Sequence, residues 1–379
     1  MEIYGFCAPG LEALYSTFAE NFAQRGDTGA SFAAVHHGEL IVSLAAGTRD
    51  RDGSLPYSEE TLVNVFSASK GVLAALVLQQ VAQGNLSLDA PVCAYWPEFA
   101  AGGKQEITVG QLLSHRSGLN AFQRKVPDGL IYSWADAVRE IEQTAPYWEP
   151  GRVQGYSPFL YGWSLGELLQ RVTGRRLEAL YRASMAEPLE LDGGFGAVGH
   201  SSTLVADVQP LKVALGQGGG LVAEAIRADR KGMVAKAFTN PVSLMLGTNS
   251  RAWREALIPA ANGHFSARDL ARIYGDMASS GEVLGARGLE LALTPQSSAK
   301  DATLQAELAF SYGFMLQGER PDLDYGSALS FGHPGAGGSV GFADPEQGLG
   351  IGYTTARLGQ SLLMDERAMQ LVRQLRGLI

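Results

Sequence analysis

Ser67-Ala68-Ser69-Lys70 sets a hydroxyl and an amine one helical turn apart, on the same face of a helix. The preceding Leu62-Val63-Asn64-Val65-Phe66 reads as a buried strand or an extended entry. Gly71 to Val81 reads as a helix that is apolar on most of its faces. Such a helix takes its first turn out of water. Burial favours neutral lysine, and an amine driven well below its ordinary pKa of about 10.4 can act as a base near neutrality. The helix N-terminus adds partial positive charge where an anion would form. In outline this is an activated serine.

The same spacing elsewhere lacks that setting. Ser297-Ser298-Ala299-Lys300 also matches S-x-x-K, but it follows Pro295 and runs into Asp301 and Ala302, and it reads as a polar surface turn. G-x-S-x-G occurs around Ser164 and around Ser339. A nucleophile elbow needs a strand, a sharp turn and then a helix. Ser164 instead sits within a periodic run from Phe159 to Val172 that reads as one amphipathic helix, and Ser339 lies between a Gly-rich turn and a strand.

A serine activated by lysine needs a further group to orient the amine or shuttle protons. Trp148-Glu149-Pro150-Gly151 is a turn signal, and Pro158 fits the first position of the next helix. Tyr156 therefore falls on a loop just before that helix, where its phenol could face a cleft, with Tyr147 and Tyr161 as nearby competitors. A third segment is Phe331-Gly332-His333-Pro334-Gly335-Ala336-Gly337-Gly338-Ser339, where glycines let backbone approach a ligand at a strand edge. A backbone N–H just past that turn, with the Ser67 N–H, could form an oxyanion hole. The same run also reads as a plain Gly-rich hairpin.

Around these residues the chain divides by element type. Residues 9–25 read as an amphipathic helix, and Ala30 to Val35 with Leu40 to Ala46 as a hairpin turning at His37-Gly38-Glu39. Helices follow over Thr108 to His115, Ser133 to Thr144, Phe159 to Thr173, Leu177 to Ala186 and Ser266 to Ser279, with Thr108 and Ser266 as N-caps. Strands return at Phe310 to Gln317, Ser339 to Ala343 and Leu349 to Thr355, before a closing helix from Leu362 to Leu375. The pattern predicts an α/β class with an antiparallel sheet built from both chain termini and flanked by helices, plus a mainly helical second lobe. The expected division is 1–66 with 305–379 against 67–304, with a site in the cleft between them. Gly216, Gly218, Gly219 and Gly220 suggest a mobile segment between about Ala214 and Val222.

Composition limits the partners. The chain has 379 residues, 46% of them apolar, enough for a large core. Its net charge of −9 argues against general binding to nucleic acid or anionic membranes. No segment approaches a membrane span, and the N-terminus lacks a signal-peptide pattern. Cys7 and Cys93 are too few for a disulfide framework, so a cytoplasmic setting is expected. The six histidines show no metal-ligand spacing, and no phosphate or dinucleotide fingerprint occurs, so neither a metal nor a cofactor is expected.

In this order, the elements resemble the serine β-lactamase and penicillin-binding-protein-like superfamily, and most closely its family VIII carboxylesterases. The resemblance extends through Ile107 to Leu119, Glu149 to Thr173, Phe265 to Arg272 and the His333 turn. It implies a β-lactamase-like fold with Ser67 as the acyl-accepting nucleophile and Lys70 and Tyr156 sharing the general-base role, Tyr156 also serving as base in deacylation. It also places His333-Pro334-Gly335 where relatives carry Lys-Thr-Gly, with the Ala336 N–H completing the oxyanion hole. Pro158 stands where β-lactamases carry the asparagine of Tyr-x-Asn, and His333 replaces a lysine that would hold a carboxylate. An imidazole is mostly neutral at pH 7. Both departures favour a neutral ester, and the leading expectation is a carboxylesterase acting on small-molecule esters of small to medium acyl length. Acyl transfer to an alcohol or amine, and β-lactamase or D-amino-acid peptidase activity, are the competing readings.

Overall fold

Gly350 and Gly352 decide how the central sheet is covered. A Cβ on Gly350 would stand 2.0 Å from the Gly275 nitrogen, and one on Gly352 2.0 Å from the Ala267 carbonyl oxygen. Bare backbone at these two positions lets the helix Ala267–Ala278 lie directly on the strand. The alternate residues Leu349, Ile351 and Tyr353 point to the opposite face, into the cluster that holds Leu14 and Phe18 of the helix Ala13–Ala23 and Leu371 of the helix Glu366–Arg376. The result is a sheet between two helical layers.

The computed structural model describes residues 1–197, 204–210, 220–279 and 281–379. Its early strands are β1 (Ile3–Cys7), β2 (Gly29–His36), β3 (Glu39–Gly47), β4 (Val63–Asn64), β5 (Gly194–Phe195) and β6 (Gln209–Pro210). The later ones are β7 (Gly263–Phe265), β8 (Ser297–Lys300), β9 (Glu307–Phe310), β10 (Met315–Leu316), β11 (Phe331–Pro334), β12 (Val340–Asp344), β13 (Leu349–Thr355) and β14 (Arg357–Leu358). Nine of them form one antiparallel sheet in the order β1-β3-β2-β13-β12-β11-β10-β9-β8. The N-terminal hairpin thus joins the C-terminal strands through the β2–β13 ladder, as the fold class read from the sequence requires. The hairpin turns at His37 and Gly38, with φ of 49° and 84°, matching a two-residue turn.

Val109–Leu113, Trp134–Gln143 and Leu160–Thr173 match the helices read from the periodicity within a residue or two, while the first and last helices, Ala13–Ala23 and Glu366–Arg376, each start four residues later than read. Thr108 and Ser266 both close capping boxes. Three readings change. Ser297 to Lys300 is not a surface turn: it is β8, the outer strand of the sheet, paired with β9. Ladder hydrogen bonds come from the backbone, so a polar stretch serves at a sheet edge, where exposed apolar residues would invite aggregation. Phe310 to Gln317 is not one strand, because a turn with Gly313 at φ 96° separates β9 from β10. Leu62 to Phe66 contributes only Val63–Asn64 to a ladder, where β4 pairs with β7 in the small sheet β4-β7-β5. The Gly-rich segment read between 214 and 222 lies mostly outside the described residues, which resume at Gly220 before the helix Leu221–Ala228.

Candidate active site

The helix Ser69–Ala82 is buried at every residue from Ser69 to Gln80, so its first turn is fixed from several sides. On one side β7 passes close: the Gly263 N–H donates to Ser69 Oγ at 3.0 Å, and a Cβ on Gly263 would stand 2.5 Å from that oxygen. Phe66 enters the turn at φ 48°, a left-handed conformation that strains a bulky residue by about 1–3 kcal/mol. The sharp bend leaves Ser67 half-buried at the wall of a cavity while Lys70 stays inside.

Lys70 Nζ lies 2.8 Å from the Pro158 carbonyl oxygen, 2.9 Å from that of Ala260 and 3.1 Å from Ser67 Oγ. The side chain is fully buried, and burial pushes its pKa well below the ordinary lysine value. A neutral amine has two N–H bonds and one lone pair. With the two carbonyls taking the N–H bonds, the lone pair is left facing the serine hydroxyl. In that neutral form the amine is placed to accept the Ser67 proton.

Tyr156 lies on the other side of the serine. It lines the same cavity as Ser67, and Lys70 Nζ sits 4.8 Å from the centre of its ring. Burial, and secondarily the Asp301 carboxylate, push the phenol pKa upward, so Tyr156 keeps its proton at neutral pH. The loop carrying it is anchored by Asp301, which the sequence reading left in a surface turn and which is fully buried. Its carboxylate accepts the Tyr156 N–H at 2.9 and 3.1 Å, and the Thr303 and Leu304 N–H groups at 2.9 and 2.8 Å. The Asp301-Ala302-Thr303 Asx-turn was the available signal, and it was a weak one. Asn120 adds a bond to the Tyr156 carbonyl at 3.0 Å. His115 packs its ring 4.7 Å from that of Tyr156, and its Nδ1 accepts the Ser157 N–H at 3.1 Å. Of the competing tyrosines, Tyr161 stacks on His115 at 4.5 Å and Tyr147 is half-buried with its pKa pushed up by burial to about 12. Ser164 is enclosed in the helix Leu160–Thr173.

The His333 turn reaches the same place from the sheet. A Cβ on Gly335 would stand 2.0 Å from the Val65 carbonyl oxygen and 3.3 Å from the Ala68 nitrogen, so glycine lets this turn press against the Ser67 bend. Ala336 then lines the cavity beside Ser67. His333 does not line it. Its imidazole is fully buried, 5.9 Å from the Tyr156 ring, with Nδ1 donating to the Pro334 carbonyl at 2.8 Å. Burial, with Lys70 adding to it, lowers its pKa to about 3, so the ring is neutral.

The cavity itself holds about 210 Å³, and Phe159, Phe238, Leu244, Met315 and Leu362 are among its walls. These come from five separate stretches of chain, and no spacing in the sequence groups them. A larger hollow of about 700 Å³, edged by Glu178, Glu187, Glu190 and Asp192, contains neither Ser67 nor Tyr156. Among the described residues no three His, Cys, Asp or Glu side chains gather as a metal site, and no helix is long and apolar enough to cross a membrane.

A half-buried serine between a neutral amine and a phenol, at the wall of an apolar cavity, is equipment for acyl transfer through the serine oxygen. Comparison with known proteins agrees with it. The β-lactamase family model matches residues 17–374, and the chain belongs to that family. The esterase/β-lactamase LipL of Mycobacterium tuberculosis is 30% identical over 97% of this chain and 86% of its own. Among solved structures, a family VIII carboxylesterase superposes with a TM-score of 0.91 at 31% identity, covering 100% of both chains. A penicillin-binding-protein homologue from Caulobacter crescentus gives 0.91 at 33% identity over the same extent. The protein is thus a serine hydrolase of the β-lactamase fold.

Proposed function

We propose that this carboxylesterase cleaves neutral esters through an acyl-enzyme on Ser67. Lys70 takes the Ser67 proton as the oxygen attacks the ester carbonyl, and the Ser67 and Ala336 N–H groups hold the resulting oxyanion. Tyr156 donates its proton to the departing alkoxide and recovers one from the lysine ammonium. Water then attacks the acyl-enzyme by the same relay in reverse, losing its proton through Tyr156 to Lys70 and returning Ser67 to its hydroxyl form. Lys70 is the first base because burial moves the two candidates in opposite directions, amine down and phenol up.

The observation that carries this reading is the fully buried Lys70 amine 3.1 Å from Ser67 Oγ, with the Pro158 and Ala260 carbonyls as its other two partners. Substrate charge follows from the cavity: the walls at Ser67 are mainly apolar and, among the described residues, include no lysine or arginine. Ser67→Ala is expected to abolish p-nitrophenyl butyrate hydrolysis while Ser164→Ala retains most of it. The opposite pattern would move the nucleophile. The esterase/β-lactamase relative makes β-lactam turnover the second reading, and nitrocefin cleavage as efficient as ester cleavage would put it first.

A further inference from the structure

A second hollow adjoins the cavity at Ser67. Phe238, Leu304, Gln360, Ser361 and Leu362 line both, and the second holds about 560 Å³. It runs on along Val222, Ala223 and Ile226 of the helix Leu221–Ala228 and past Ala306. Size argues that the two work together. The Ser67 cavity alone is little larger than the ~150 Å³ void that accepts a benzene, and it falls short of the ~300–1,000 Å³ usual for ligand sites. With its neighbour it enters that range.

Charge argues for what enters. Arg320 and Asp322 edge the second hollow, and they face each other in a two-point pair, Nε to Oδ1 at 2.8 Å and Nη2 to Oδ2 at 2.7 Å. The guanidinium is matched to its own carboxylate and is poorly placed to draw a free acid. Helix residues Val222, Ala223 and Ile226 offer hydrocarbon only.

We propose that this second hollow is a chain subsite, which takes the apolar tail of an ester longer than the Ser67 cavity can hold. The proposal rests on the Ser67 acyl chemistry above and adds a substrate class to it: neutral esters with an extended apolar chain on the acyl or the alcohol side.

Two arms separate the sides. p-Nitrophenyl acetate is compared with p-nitrophenyl decanoate, and ethyl acetate with decyl acetate by pH-stat, all below micelle-forming concentrations. In one arm the long chain is expected to raise kcat/KM by at least about tenfold, and that arm identifies the side that occupies the hollow. Ala223→Trp fills the hollow and Ile226→Glu places a charge in it. Either is expected to remove the gain, while p-nitrophenyl acetate turnover stays within about twofold, which also shows that the variants fold. Absence of a gain in both arms, or a gain that survives both variants, overturns the subsite. Failure of the underlying chemistry would look different: p-nitrophenyl acetate turnover would persist in Ser67→Ala.

Discussion

Lys70 and Lys104 are both buried, yet only Lys70 is placed to serve as the proposed base. Lys104 Nζ meets three carbonyls, those of Ala101, Glu142 and Thr144 at 2.5, 2.8 and 2.8 Å. Burial lowers its pKa only to about 8, so it remains an ammonium at neutrality with every N–H bond occupied. It braces backbone. Lys70 has two carbonyls and a hydroxyl instead, and burial carries its pKa far down. Lys70→Arg is expected to lower kcat by about 10²–10⁴-fold with the far-UV spectrum intact, because a guanidinium cannot release its proton. The pH profile follows from the same shift. Activity needs the unprotonated amine, so kcat/KM is present above the lowered Lys70 pKa and is lost as pH falls through it. With His333 held near 3 and the phenol pushed upward, neither adds a limb around neutrality. A second limb between about pH 6 and 8 in the profile for a neutral ester would contradict that assignment.

Three elements meet at Ser67, two held there by side-chain-to-backbone hydrogen bonds and one by close approach of backbone to backbone. The helix Ser69–Ala82 supplies the serine turn, the Asp301 anchor sets the Tyr156 loop, and β11 ends in the turn that carries Gly335 and Ala336. Gly335→Ala tests the last of these. Its methyl would run into the Val65 carbonyl, so the turn must lift away from Ser67 and take the Ala336 N–H with it. A loss of about 10²–10³-fold in kcat is expected, the usual effect of removing one oxyanion donor. KM for a short ester should change much less, since the apolar walls stay in place.

On the scale of the whole molecule, a buried ionic cluster ties the two chain ends to the oxyanion turn. Arg367, on the C-terminal helix, pairs with Asp27 at 2.6 Å and with Asp365 at 2.8 Å, and donates to the Gly337 carbonyl at 3.0 Å. Thr355 and Tyr353 on β13 also hydrogen-bond Asp27. Removing one member of such a pair leaves a charge stranded in the interior. Arg367→Met is therefore expected to destabilise the fold by about 3–5 kcal/mol, read as a lower urea midpoint. Activity should fall as well under conditions where the variant remains folded, because Gly337 adjoins Ala336. Unchanged stability would mean that water reaches the cluster.

Much of this was legible in the sequence. The turn residues of the N-terminal hairpin, the capping residues Thr108 and Ser266, and the apolar helix after Ser67 each act over a few residues, so spacing alone reveals them. Ser67 and Lys70 were legible for the same reason: one helical turn brings them together whatever the rest of the chain does. Asp301 and the cavity walls were not. Their roles depend on contacts between residues far apart in the chain, such as Asp301 with Tyr156 and Phe238 with Leu362. Ser297 to Lys300 misled because a strand at a sheet edge needs a partner more than it needs a pattern. The sequence by itself determined which groups could react. Only the tertiary structure decided which of them are dry and what space adjoins them, because desolvation and cavity shape are set by elements that adjoin only after folding.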